Sequence, residues 1–120
     1  MKLWKKVRQI SHGWNGILIA WDKEVQFPYQ VGLVALALSL ALLLRVGMSE
    51  FLILLVALTL ALVAELFNTT VEVLCDKIEP SHDPHIGKIK DLGAACVIVA
   101  GIPSIVVTIW ILLPRLLDLW

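Results

Sequence analysis

One amphipathic segment is followed along the chain by three apolar ones. Between residues 1 and about 24, Leu3, Trp4, Val7, Ile10, Trp14, Ile17, Leu18 and Trp21 recur at intervals of three and four, while Lys5, Lys6, Arg8, Gln9, His12 and Asn15 fill most of the other positions. That period predicts a helix with one apolar face, and its tryptophans and basic residues suit a helix lying in a membrane interface. Gly13 and Gly16 weaken it by about 1 kcal/mol each relative to alanine and leave room for close approach of another helix or a ligand. Pro28 is expected to end the segment. Three apolar stretches then run over roughly 30–47, 51–75 and 92–113, and Val31 to Leu44 carries no charge at all. A span needs about 20 apolar residues. The pattern therefore predicts an all-α membrane protein, an N-terminal amphipathic surface helix plus three transmembrane helices, as a single domain over 1–120.

Composition agrees with the pattern. With 59% hydrophobic residues among 120 and a mean hydropathy of +0.87, the chain is too apolar for an ordinary soluble domain. The formal charge is zero, but its distribution is lopsided. Lys2, Lys5, Lys6, Arg8 and Lys23 precede the first span, Lys77, Lys88 and Lys90 lie between the second and third, and only Arg45 and Arg115 fall on the opposite side. Excess lysine and arginine mark the cytoplasmic side. The N-terminus and the Asp76 to Asp91 loop are thus expected inside, with the Arg45 to Glu50 turn and the C-terminus outside. Charges in that short turn are read as solvated headgroup contacts, and Trp110 and Trp120 as interface anchors. No cleavable signal is expected, because the first 25 residues are amphipathic rather than apolar. Cys75 and Cys96 lie near the cytoplasmic ends of their helices, where thiols are favoured over a disulfide. No nucleic-acid partner is expected.

The chemistry is concentrated at Glu65, Asn68, Glu72 and Asp76, directly after the apolar run Phe51 to Ala64. At about 100° per residue, Glu65, Glu72 and Asp76 share an arc of roughly 40°, with Asn68 about 60° to one side. A carboxylate at bilayer depth costs at least ~2.5 kcal/mol, so such a stripe marks a site more often than a surface. The plainer reading is a polar face turned toward a helix partner. After the stripe comes a loop with Pro80, Pro84 and Gly87, read as the one connection large enough to close over a ligand. It ends in Gly87-Lys88-Ile89-Lys90-Asp91-Leu92-Gly93, where lysines ahead of a helix start attract phosphate. This is not a P-loop, which needs Gly-Lys-Ser/Thr opening the helix. Near a carboxylate cluster it gains meaning, since phosphoryl transfer needs a cation for phosphate charge and carboxylates for Mg²⁺. Glu24 matters as a possible partner of Glu72 on such a cation. His82 and His85 flank Pro84 and read as solvated, and Asn68-Thr69-Thr70, though a glycosylation sequon, sits at the cytoplasmic end of a span. Gly101 and Pro103 predict a kink or local break in the third span.

Three collinear blocks carry a resemblance: Trp14-Asn-Gly16 with Trp21-Asp-Lys-Glu24-Val-Gln-Phe27, then Glu65-x-x-Asn68-x-x-x-Glu72-x-x-x-Asp76, then Lys90-Asp91. Over nearly the whole chain they resemble the small bacterial integral-membrane diacylglycerol kinases, whose relatives include undecaprenol kinases. The resemblance implies a homotrimer in the bacterial inner membrane that moves the γ-phosphate of MgATP to a lipid hydroxyl at the cytoplasmic face. It implies Glu65 as general base, Glu24 and Glu72 as Mg²⁺ ligands, and Asn68, Asp76, Lys90 and Asp91 around the nucleotide, with Lys90 as the phosphate cation. Trp21 and Phe27 resemble the diacylglycerol group, and the undecaprenol-type segment is missing at Phe27-Pro28-Tyr29. His12-Gly13-Trp14-Asn15-Gly16 departs from the family's aromatic-Ser-Trp-Lys-Gly. Two other classes compete: an ion-coupled transporter binding its ion at Glu65, and a non-catalytic subunit packing through the acidic stripe.

Overall fold

The computed structural model describes residues 2–24 and 26–117, so Trp120 lies outside the described residues. Four helices follow one another: α1 (Lys2–Lys23), α2 (Gln26–Leu43), α3 (Met48–Ile78) and α4 (Pro84–Leu116). The last three are each long and apolar enough to cross a membrane. Their leucines, isoleucines and valines are widely exposed, as in Leu36, Leu60, Ile98 and Val106. That is the surface a hydrocarbon solvent would cover. The expected all-α membrane architecture is therefore present.

Several boundaries differ from the sequence reading. α1 stops at Lys23, and Pro28 lies inside the first turn of α2, where its missing N–H has no intrahelical partner to lose. α2 ends at Leu43, earlier than the apolar pattern suggested, because the chain reverses through Leu44–Gly47. Two bonds close that turn, Val46 N–H to the Ala41 carbonyl at 3.2 Å and Arg45 N–H to the Leu42 carbonyl at 3.2 Å. This is a Schellman termination, and Arg45 occupies its left-handed position at φ 56°.

The largest correction concerns α4. Asp83 caps it by accepting from the backbone N–H groups of His85 at 2.8 Å and Ile86 at 3.2 Å, and Pro84 opens it. The expected loop from Asp76 to Asp91 thus shrinks to residues 79–83, and Lys88 and Lys90 lie inside a helix rather than at its free N-terminus. Pro103 does not break α4, which runs on to Leu116, so the expected local break is absent. Ser104 Oγ instead donates to the Gly101 carbonyl at 2.7 Å.

α3 and α4 form the main packing pair, with α2 laid against them. The tight core sits near the α2–α3 turn: Ala37, Ala41, Leu54, Ile111 and Leu112, bordered by Phe51, Leu58 and Val107. At that end Arg115 pairs with Glu50, which correct the expectation of a solvated turn carboxylate. The carboxylate stripe lies toward the opposite end.

Candidate active site

α3 continues about 11 residues beyond Glu65 to Asp76, some 16 Å at 1.5 Å per residue, and α4 begins alongside that extension. Glu65 is 8% exposed and is the one buried carboxylate among the described residues. No described donor bonds it. Its chain neighbour Ala64 is buried with it.

One turn further along, Asn68 is wedged against α4. Its Nδ2 donates a long hydrogen bond to Glu72 Oε1, 3.4 Å, while its Oδ1 is buried with no partner. Facing Oδ1 is Gly93, where a Cβ would sit 2.7 Å from that oxygen. Glu72 itself is exposed, and so is Asp76, whose Oδ1 accepts from Lys90 Nζ at 2.5 Å. That ion pair joins α3 to α4 next to their connection, with side chains 63% and 38% exposed for Asp76 and Lys90. A pair so open to water holds the helices together only weakly. Asp91 is exposed beside it.

The structure therefore gathers Glu65, Asn68, Glu72, Asp76 and Lys90 along one edge of the α3–α4 pair. Glu24 is not on that edge. It is half-buried just past α1 and lines a recess of about 640 Å³ with Gly16 and Lys23 of α1 and Thr69, Val73 and Lys77 of α3. That face of α3 lies roughly 110° around the helix from Glu72. Within one chain, then, Glu24 and Glu72 open onto different faces.

No group of three or more His, Cys, Asp or Glu side chains converges among the described residues. The donors do not form an all-protein cage for a metal. They do fit a cation delivered on phosphates, which takes one or two carboxylates and leaves its other positions to phosphate and water. Glu72 suits that part, being exposed with one oxygen oriented by Asn68.

On the other side of Glu65 lies an apolar groove of about 410 Å³. Leu58, Ala61 and Leu62 line it from α3, seven, four and three residues before Glu65 and so on the same helix face. From α4 come Val97, Gly101, Ser104 and Thr108, which continue the stripe begun by Gly93. The groove spans Val97 to Ile109, about 18 Å along the helix. Its hydroxyls are bonded back to their own helix: Thr108 Oγ1 donates to the Ser104 carbonyl at 2.7 Å, as Ser104 does to Gly101. Apart from Gln30 of α2, the lining is thereby largely an alkyl surface, on the α3 face that Glu65 continues.

Gly93 is the site residue that sequence reasoning passed over, although it lay within the quoted Lys-Asp-Leu-Gly block. A glycine inside a helix was the available signal.

The profile of the prokaryotic diacylglycerol kinases matches residues 11–112. The chain belongs to this family. Curated relatives agree: the diacylglycerol kinase of Escherichia coli (strain K12) is 27% identical over 100 residues, covering 83% of this chain and 82% of that one. The diacylglycerol kinase of Shigella flexneri matches with the same identity and coverage. The protein is thus a membrane-embedded member of a family of lipid kinases, and the aligned region contains every residue of the edge described above.

Proposed function

We propose that the protein transfers the γ-phosphate of ATP to the hydroxyl of diacylglycerol, forming phosphatidic acid and ADP. One observation carries this reading: Glu65, the one buried carboxylate among the described residues, continues the α3 face whose preceding turns, Leu58, Ala61 and Leu62, line an apolar groove, and the polar edge begins beyond it. A lipid alcohol has that same division, and its acyl chain would lie in the groove with its hydroxyl at Glu65. In the transfer, Glu65 takes the hydroxyl proton as the lipid oxygen bonds to the γ-phosphorus. The bond from that phosphorus to the bridging oxygen breaks, and its electron pair leaves with ADP. Lys90 trades Asp76 for phosphate oxygens, and Asn68, Asp76 and Asp91 border the nucleotide. Glu72, with Glu24 as second candidate, would hold Mg²⁺, which neutralises charge on the β- and γ-oxygens when bound.

The amphipathic pattern of α1 supports a helix lying in the interface, with the N-terminus and residues 79–83 in the cytoplasm and the C-terminus outside the bacterial inner membrane. The protein is taken to work as a homotrimer. An ion-coupled transporter would leave Lys90 and the Asn68–Glu72 contact without a role. What favours diacylglycerol over undecaprenol is the identity of Trp21 and Phe27, whose rings lie edge to face at 6.3 Å and 86° in the α1–α2 corner. Both are the residues by which the chain resembles the diacylglycerol group.

Glu65→Gln tests the reading. The variant should express, bind nucleotide and lose about 10²- to 10⁴-fold in lipid phosphorylation, the usual contribution of a general base. Turnover near wild type would remove Glu65 from the reaction. Parallel assays of the unaltered protein with diacylglycerol and undecaprenol decide the acceptor.

A further inference from the structure

We infer that Gly93 is a positioning residue: its missing side chain lets the Asn68 amide enter the α3–α4 interface and aim Glu72 at the phosphate-borne cation. This rests on the reading above that Glu72 takes Mg²⁺.

Gly93 differs from the other glycines of the helices. A Cβ built at Gly13, Gly16, Gly32, Gly87 or Gly101 meets nothing within 4 Å, whereas at Gly93 it falls 2.7 Å from Asn68 Oδ1 and 3.4 Å from the Val71 side chain. Gly93 is buried well inside α4, where glycine is a poorer helix former than any residue but proline. Its lack of a side chain is therefore used for space and not for a turn or a cap.

The space is filled by a polar atom in an unfavourable position. Asn68 Oδ1 is buried without a partner, a state that native proteins seldom tolerate without a reason. Turning the amide over gives no relief, because its oxygen would then face the Glu72 carboxylate and lose the bond from Nδ2 to Oε1. Glu72 thus fixes which way the amide points, and Gly93 provides room for the oxygen left over. The direction of influence follows from what would yield. The closest atom to a Cβ at residue 93 is the far end of the Asn68 side chain at 2.7 Å, with the Val71 side chain next at 3.4 Å, so the amide must swing well before the helices need to part. The loss would fall on the orientation of Glu72.

The test uses the full-length protein reconstituted in lipid. Gly93→Ala should raise the Mg²⁺ concentration for half-maximal turnover about 10-fold, the low end of the usual effect of losing a ligand's outer-shell partner. Independently of turnover, Mn²⁺ binding with a non-hydrolysable ATP analogue, followed by electron paramagnetic resonance, should weaken by a similar factor. Thermal midpoint and oligomer size should stay as in the parent. In an Asn68→Ala background, adding Gly93→Ala should change neither titration, because the contact through which it acts is gone. Asn68→Ala alone should weaken Mn²⁺ binding, and it covers the case in which Gly93→Ala fails to fold. Unchanged Mn²⁺ binding in Gly93→Ala or Asn68→Ala, while Glu72→Gln weakens it, overturns the role of Gly93. Unchanged binding in Glu72→Gln overturns the metal reading itself.

Discussion

Arg115 grips Glu50 at two points, Nη1 to Oε2 at 2.9 Å and Nη2 to Oε1 at 2.7 Å, across 65 residues of sequence. Nη1 also donates to the Ile111 carbonyl at 3.1 Å, so the guanidinium is fixed to the end of α4 before it reaches α3. A forked contact of this kind is directional as well as attractive. It closes the bundle beyond the Leu54 core, at the end remote from Glu65. Either Glu50→Gln or Arg115→Lys should lower the thermal midpoint in detergent, and lysine should fail to substitute because it lacks the fork. Lipid phosphorylation at temperatures below the transition should be little changed. Equal midpoints for parent and variants would show that the pair contributes nothing to holding this end.

Lys90 tests the polar edge. Lys90→Ala should raise the KM for ATP about ten- to a hundredfold, the range for losing a hydrogen bond to a charged group, while the KM for lipid moves little. Because its pair with Asp76 is exposed, stability without nucleotide should barely respond. Lys90→Arg should keep part of the nucleotide affinity. A Lys90→Ala protein with unchanged ATP dependence would remove this residue from phosphate binding.

The groove predicts a chain-length effect. Gly101 has open space where a Cβ would go, so Gly101→Leu should fold while filling part of the channel below Glu65. The acyl chain gains little from leaving one apolar medium for another, so the cost is mainly one of alignment. Misplacing reacting groups by about 1 Å can cost about 10²-fold, and a loss of about 10- to 100-fold is expected with long-chain acceptors. Short-chain acceptors should be phosphorylated nearly as before. Equal losses for both chain lengths would place the acyl chain elsewhere.

At the α2–α3 turn, Arg45 adopts a left-handed conformation that costs a non-glycine residue roughly 1–2 kcal/mol. Arg45→Gly should stabilise the protein by about 1 kcal/mol after the greater freedom of glycine in the unfolded chain is counted. Denaturant titration in mixed micelles reads this directly. A destabilised variant would mean that the arginine side chain, rather than its backbone, holds the turn.

Much of this organisation was legible in the residues. The unbroken apolar run through Val31 to Leu44 and the one around Leu54 required spans, and the spacing of Glu65, Asn68, Glu72 and Asp76 placed them on one helix face. The start of α4 was not legible by charge and proline content, which read as loop. Asp83 followed by Pro84 was in fact a cap and a first turn, two local signals outweighed in the reading by the prolines and glycine around them. Pairing between distant positions was hidden for a different reason. Glu50 with Arg115 and Asn68 with Gly93 depend on how α3 meets α4, which no periodicity within one helix contains. Glu24 shows the same limit, since its face relative to Glu72 is set by where the end of α1 lies against α3.

The hydroxyls of Ser104 and Thr108, bonded back to their own helix, bear on the electrical tightness of the membrane. Each has one proton, and each commits it to a carbonyl of its own helix, so on its α4 side the groove offers no free hydroxyl donor. On the proposed role of Glu65, a proton it takes would find no hydroxyl relay along α4 and would return by the polar edge toward Asp76. Turnover would leave the transmembrane proton gradient intact, although a carboxylate that gains and loses a proton sits within the span.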